Sequence, residues 1–226
     1  MEQIWIKEQD ELKKRVLHTD QINSTEIKYV AGVDSSFDKN DPDRACAYLV
    51  VLDYATFNPV YENHKVVTLT VPYISGFLGF REVPHYLALL NELRDAHPEY
   101  MPDVILVDGY GTLHPRGFGS ASHLGVLSDI PTIGCGKTLM CLDGLNEKTV
   151  KQIFRDNSAL AAYELRGHSG TLHGMALRTS GTTNPIYVSV GHKISLQTAV
   201  EVVSKLCLHR IPEPIRLADI RSKLYL

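Results

Sequence analysis

The pattern of apolar and polar positions divides the chain into a helical opening, a β-rich first half and a second half in which strands and helices alternate. From Ile4 to Thr19, Ile, Leu and Val recur at helical spacing among charged residues, which predicts an amphipathic helix. From Ile27 to about Thr70 the period changes. IKYVAGVDSSF and ACAYLVVLDY are apolar runs and VYENHKVVTLTV alternates, with turn-rich KNDPDR and DYATFNP between them, so the three read as an antiparallel meander. A helix is predicted to begin near Glu82 and run through VPHYLALLNELRDA, with Pro84 in its first turn and Leu87, Leu90 and Leu93 along one face. DVILVDG is continuously apolar, as a strand buried on both faces must be. The Gly-rich GYGTLHPRGFG leads into a short helix in SASHLGVLSD, and IPTIGCGK returns as a strand. TLHGMALRTS and IYVSVG read as later strands, and LQTAVEVVSKLCL as a helix that stops at RIPEP.

A three-strand meander followed by strand–helix–strand is the layout of the α/β ribonuclease H-like fold, a central mixed sheet, antiparallel meander plus parallel strands, flanked by helices. Its first and fourth strands are neighbours at the sheet centre, which would bring Asp34 and Asp108 together although they lie far apart in the chain. The 226 residues suit one core, and no repeat or low-complexity linker divides them, so a single domain over residues 1–226 is expected.

Composition narrows the class. Hydrophobic residues at 44% and charged residues at 22% exclude disordered, collagen-like and disulfide-scaffold chains. The net charge of -3 does not advertise a nucleic-acid binder, yet phosphate binding needs only a local cationic surface, and bound metal ions offset part of the acidic count. His192, Lys193, Arg210, Arg216, Arg221 and Lys223 form the one cationic concentration, read either as a backbone groove or as a solvated face. Cys46, Cys135, Cys141 and Cys207 lack metal-site spacing and are expected as free thiols. The opening MEQIWIKEQDELKKRV is charged throughout, so no signal peptide is expected, and no run approaches the ~20 apolar residues of a membrane span.

The candidate chemistry lies in three carboxylates: Asp34 in YVAGVDSSF, Glu82 in GFREVP and Asp108 in VILVDGYG. Any one acid before Gly or Ser is ordinarily a cap or a turn. Two Asp from strand ends with a Glu at a helix start, taken together, are a way to gather oxygen ligands for Mg²⁺, and a metal-dependent phosphodiester enzyme follows from that conjunction. Lys137, after Gly-Cys-Gly, is either a cation beside that site or a solvated lysine.

The strings AGVDSSF, PYISGFLGFREVP, VDGYGTLHPRGFGSASHLGVL and PEPIRLADIRS resemble the endonuclease V family, nucleases that act at deoxyinosine or inosine, and the resemblance runs from Gly32 to Ser222. It implies a nuclease that finds hypoxanthine and hydrolyses the second phosphodiester bond 3′ to it. Carried over by position, it implies Asp34 and Asp108 as direct Mg²⁺ ligands, with Mn²⁺ able to substitute, Glu82 and Asp219 completing the shell, and Lys137 near the scissile phosphate. Bacterial members commonly carry His in place of Asp219 and PYIP in place of Pro72–Ser75, so the likeness is to the eukaryotic type.

A base must be extruded before it is read. Pro72, Tyr73, Ile74 and Ser75 form the expected wedge, the alternative being a strand terminus packed on the core. Gly76, Gly109 and Gly111, with Leu78, are expected to let backbone approach a planar ring. His114 and Arg116 are weighed between substrate contacts and hydrogen bonds that close their own loop, and His123 is read as structural. The expected substrate is inosine-containing single-stranded RNA, with DNA as a second; the protein is expected to be a cytoplasmic and also nuclear monomer without membrane contact. Two rival readings are another ribonuclease H-like nuclease or resolvase, which would lack the wedge and the glycine pocket, and a non-catalytic nucleic-acid binding module.

Overall fold

The computed structural model describes residues 1–226. Its elements are α1 (Glu2–Lys13), β1 (Tyr29–Phe37), β2 (Arg44–Asp53), β3 (Pro59–Thr68), α2 (Leu78–Ala96), β4 (Val104–Asp108), α3 (Ser120–Ser128), β5 (Thr132–Gly136), α4 (Glu147–Asp156), β6 (Ala162–Arg166), β7 (Leu172–Leu177), β8 (Ile186–His192), α5 (Leu196–Leu206) and α6 (Glu213–Ser222). The strands form one sheet in the order β3-β2-β1-β4-β5-β8-β7-β6. β1, β4 and β5 run parallel at its centre and every other pairing is antiparallel, so the mixed ribonuclease H-like sheet foreseen from the hydrophobic pattern is present. No helix is long and apolar enough to cross a membrane.

The central strands are apolar on both faces because both are covered. Along β2, Cys46, Tyr48, Val50 and Leu52 face a core shared with Val202 and Val203 of α5 and Ile215 of α6. The alternate residues Ala47, Leu49 and Val51 face Val83, Tyr86, Leu89, Leu90 and Leu93 of α2 and Leu124 of α3. Gly32 lets α6 lie directly on β1: a Cβ there would come within 2.3 Å of the Pro214 carbonyl carbon. That close approach delivers Asp219 of α6 to the same sheet end as Asp34.

Several boundaries differ from expectation. The first helix ends at Lys13 rather than near Thr19, because the chain leaves it to pair with the end of β8: the Leu17 N–H donates to His192 Nδ1 and its carbonyl accepts from the Lys193 N–H. α2 begins at Leu78, so Glu82 is in its second turn and Pro84 lies inside the helix instead of in its first turn. The upstream start is held by packing, since Trp5 stacks on Phe80 at 5.0 Å and leans on Phe77 at 5.5 Å. Asp34 is within β1 and not at its end; what stops beside it is the pairing with β4, after Val33 and Val107. The sequence reading also passed over α4, β6 and α6.

Candidate active site

Asp34 and Asp108 stand next to each other because β1 and β4 are parallel and in register up to Val33 and Val107, one residue short of both acids. Strand alternation turns Asp34 toward α6, while its neighbour Ser35 faces α2 and hydrogen-bonds the Tyr86 hydroxyl at 2.8 Å. Asp108 ends β4; beyond it Gly109 turns with φ of +152°, where a Cβ would strike the Ser120 hydroxyl, so the chain leaves the strand without covering the carboxylate. Lys137 follows β5 and its Nζ is 2.5 Å from an Asp108 carboxylate oxygen and 3.8 Å from one of Asp219. Asp34, Glu82, Asp108 and Lys137 line one cleft of about 280 Å³, with Ser35, Leu78, Gly109 and Tyr110.

This gathering of acids is costly. Burial, then the charge of Asp108, pushes the Asp34 carboxyl well above the usual range. Burial raises Asp108 as well, against the pull of Lys137. Glu82 is pushed up to about 8 by burial and by Asp108, tempered by a hydrogen bond from Tyr86 and by Arg81. At Asp219 burial also opposes charge, but Lys223, Lys137 and a hydrogen bond with Asp34 outweigh it and hold that carboxyl below the ordinary value. The Lys137 ammonium is favoured, its burial more than offset by Asp108. No three His, Cys, Asp or Glu side chains form a ready-made metal cage. The donor set is instead two adjacent carboxylates and two peripheral ones, all oxygen, with Lys137 against Asp108 and Lys223 against Asp219.

A narrow slot of about 90 Å³ adjoins the cleft and shares Leu78, Gly109 and Tyr110 with it. Its walls include Tyr73, Ser75, Gly76, Ser120 and His123. A larger cavity, about 660 Å³, is also lined by His114 and holds one carboxylate, Asp143, so it lacks the acid pair. Tyr73 is 69% exposed and Pro72 and Ser75 are exposed too; this segment is therefore no strand terminus packed on the core.

Three expected substrate contacts have partners within the protein, although His114 also lines the slot. Gly111 gives room to the protein and not to a ligand: a Cβ there would come within 1.9 Å of the Val190 carbonyl oxygen of β8. His114 is buried, accepts the Arg116 N–H at Nδ1 and donates from Nε2 to the Gly76 carbonyl at 3.1 Å; burial pulls its pKa down to about 4, so the ring is a neutral loop closure. Arg116 donates to Gln9 and to the same Gly76 carbonyl, both at 2.5 Å. His123, read as structural, packs edge-on to Phe80 at 4.9 Å and also lines the slot. The cationic concentration is not one surface. Lys193 pairs with Asp129, Arg216 with Glu213, Arg221 with Glu62 and Lys223 with Asp219, while Arg210 is spent on the carbonyls of Lys137, Asn184 and Pro185. Gln9, buried beside the slot, was missed; its only signal was a polar residue one turn after Trp5 on the same helical face.

The family model of endonuclease V matches residues 10–220. Mouse endonuclease V is 47% identical over 99% of this chain and 69% of its own length. The crystal structure of the catalytic domain of human endonuclease V superposes with a TM-score of 0.94 at 46% identity, covering 99% of this chain and 94% of that one. Ciona intestinalis endonuclease V, in complex with a 24mer DNA containing an inosine followed by a ribo-adenosine, superposes with a TM-score of 0.95 at 35% identity, covering 100% of this chain and 98% of the other.

Proposed function

Because the chain belongs to the endonuclease V family of nucleases, we propose that it is a Mg²⁺-dependent endonuclease that recognises inosine and hydrolyses the second phosphodiester bond on its 3′ side, with single-stranded RNA as the preferred substrate. The observation that carries this reading is the acid pair of Asp34 and Asp108 on adjacent parallel strands, opening directly onto a slot edged by an exposed tyrosine.

The donor chemistry fits Mg²⁺. Buried like charges at Asp34, Asp108 and Glu82, of which Lys137 pairs with Asp108 alone, favour a further cation, and Mg²⁺ keeps several waters and takes one or two direct carboxylates, so the lack of a closed protein cage is in character. Asp34 and Asp108 would hold it, Glu82 and Asp219 acting through water. When bound, the ion supplies Lewis-acid withdrawal of charge from the phosphate and stabilises the leaving oxygen. Lys137, fixed against Asp108, places a positive charge where negative charge grows on the phosphoryl group. Gly109 sits in both cleft and slot, so a base held in the slot puts a nearby backbone linkage over the cleft.

Tyr73 is the stacking surface on which the strand closes once the base has left it. Tyr73→Ala is expected to weaken binding of an inosine strand by about 1–3 kcal/mol, the scale of one base–aromatic stack, with metal affinity and melting temperature unchanged. A variant that instead unfolds early would return Tyr73 to the core.

The test of the whole reading is a labelled strand carrying one inosine, prepared as RNA and as DNA, with an inosine-free control, incubated with and without Mg²⁺. Cleavage is expected only with inosine and metal, and faster on RNA, since a single strand splays its base without breaking pairs and offers a 2′-hydroxyl. A DNA strand with one ribonucleotide directly 3′ of deoxyinosine, the design on which the Ciona relative was crystallised, should recover most of the RNA rate. Equal rates with and without that hydroxyl would defeat the RNA preference alone; metal-independent or inosine-independent cutting would defeat the assignment.

A further inference from the structure

We infer that Gln9 is a positioning residue for base capture, a strut from the N-terminal helix that sets the width of the slot; the inference rests on reading that slot as the base site. Gln9 is the one buried residue of α1, 3% exposed on a helix whose other positions face solvent or are half-buried. Its side chain uses every hydrogen-bonding group it has. Nε2 donates to the Gly76 carbonyl at 3.0 Å and to the Phe118 carbonyl at 3.2 Å, and Oε1 accepts from Arg116 Nε at 2.5 Å. Gly76 ends the Pro72–Ser75 tip, and Phe118 leads into Gly119 and Ser120, which open α3 on the facing wall. One amide therefore spans the two walls between which a planar base must fit.

The Gly76 side is held more firmly than a surface turn requires. Its carbonyl accepts from Gln9, His114 and Arg116, three donors on two lone pairs, and its φ of +82° suits glycine. The strut is itself braced. Trp5, one turn earlier on the same face, stacks on Phe80 and leans on Phe77, whose ring also carries the Arg116 guanidinium at 4.2 Å. A loop tip built for display alone would need none of this, whereas a slot that must tell purines apart needs walls that do not move.

Gln9→Met keeps the length and removes both donors and the acceptor. Gln9→Glu keeps the volume and an acceptor for Arg116 but cannot donate to either carbonyl, so it isolates the bridge. The experiment is metal-free fluorescence anisotropy with two single-stranded RNAs that differ only by inosine or adenosine at one position, on wild type and both variants, with thermal melts alongside. Wild type should prefer the inosine strand, and both variants should lose about tenfold of that preference, the combined effect of two net hydrogen bonds. In the cleavage assay the loss should fall on KM for the inosine strand rather than on kcat. A folded Gln9→Glu or Gln9→Met with the wild-type preference and KM overturns the strut. Wild type without any preference would instead overturn the base slot itself, a different failure.

Discussion

Asp34→Ala and Asp108→Ala are each expected to lower Mg²⁺-dependent cleavage by roughly 10²–10³-fold or more, the scale on which removal of one charge-stabilising group acts, while leaving the inosine strand bound. Binding is expected to come from phosphate and base contacts, and an anionic carboxylate is poorly suited to contact a phosphate. The stability effect should have the opposite sign. An acid whose folded pKa is raised keeps, in the native state, a proton that the unfolded chain has already lost, so stability falls as pH rises between the two values. For Glu82 that window runs from its ordinary 4.5 to about 8. His114 and His123, each pulled down to about 4 by burial, act in the opposite direction below pH 6.5, so in metal-free buffer the melting temperature of the wild type should decline between pH 6.5 and about 8. Asp34→Asn should melt higher than wild type near neutral pH, and Glu82→Gln should flatten the decline. Thermal melts at a series of pH values with a chelator present check this, and a wild type equally stable between pH 6.5 and about 8 would show that Glu82 does not hold a raised pKa. Near-normal cleavage by Asp34→Ala would remove it from the site.

The second large effect is on folding. Gly111→Ala would drive a methyl group into the Val190 carbonyl at 1.9 Å, a backbone atom of a buried central strand that has nowhere to move. Overpacking of this kind costs about 3 kcal/mol, which for a chain of this size is a loss of roughly 6–12 °C in melting temperature. The protein that remains folded should keep its preference for inosine, because Gly111 packs against β8 and is absent from the slot. Full stability combined with altered base preference would instead restore Gly111 to the substrate-contacting residues.

What could be read from the chain was what a short window dictates. The apolar runs of β1, β2 and β4 reflect burial on both faces, and burial on both faces is written locally as runs rich in Val, Ile, Leu and Ala. Asp34 and Asp108 were visible because each interrupts or ends such a run. α4 was legible yet missed: Asn146 caps it by accepting from the Lys148 and Thr149 amides, and Val150 and Phe154 follow at helical spacing. α6 was harder, since its buried Pro214, Ile215 and Ala218 make too narrow an apolar stripe to stand out, although Pro214 near its start is a helix-opening signal.

The sequence by itself determined the sheet's central strands, the family motifs and which acids could serve as oxygen ligands, because propensity, burial pattern and residue chemistry act over a few neighbours. Only the tertiary structure decided what each glycine and each cation is for. Gly76 and Gly109 border the slot while Gly111 is filled by β8. His114 and Arg116 turn inward to one carbonyl, and Lys137 alone of the cations named at the outset meets the acid pair. The reason is physical: a hydrogen bond or ion pair is decided by what lies within about 3 Å in space, and at this site those partners come from α1, the Gly76 turn, β1, β4, β5 and α6, segments that nothing along the chain brings together until the sheet has formed.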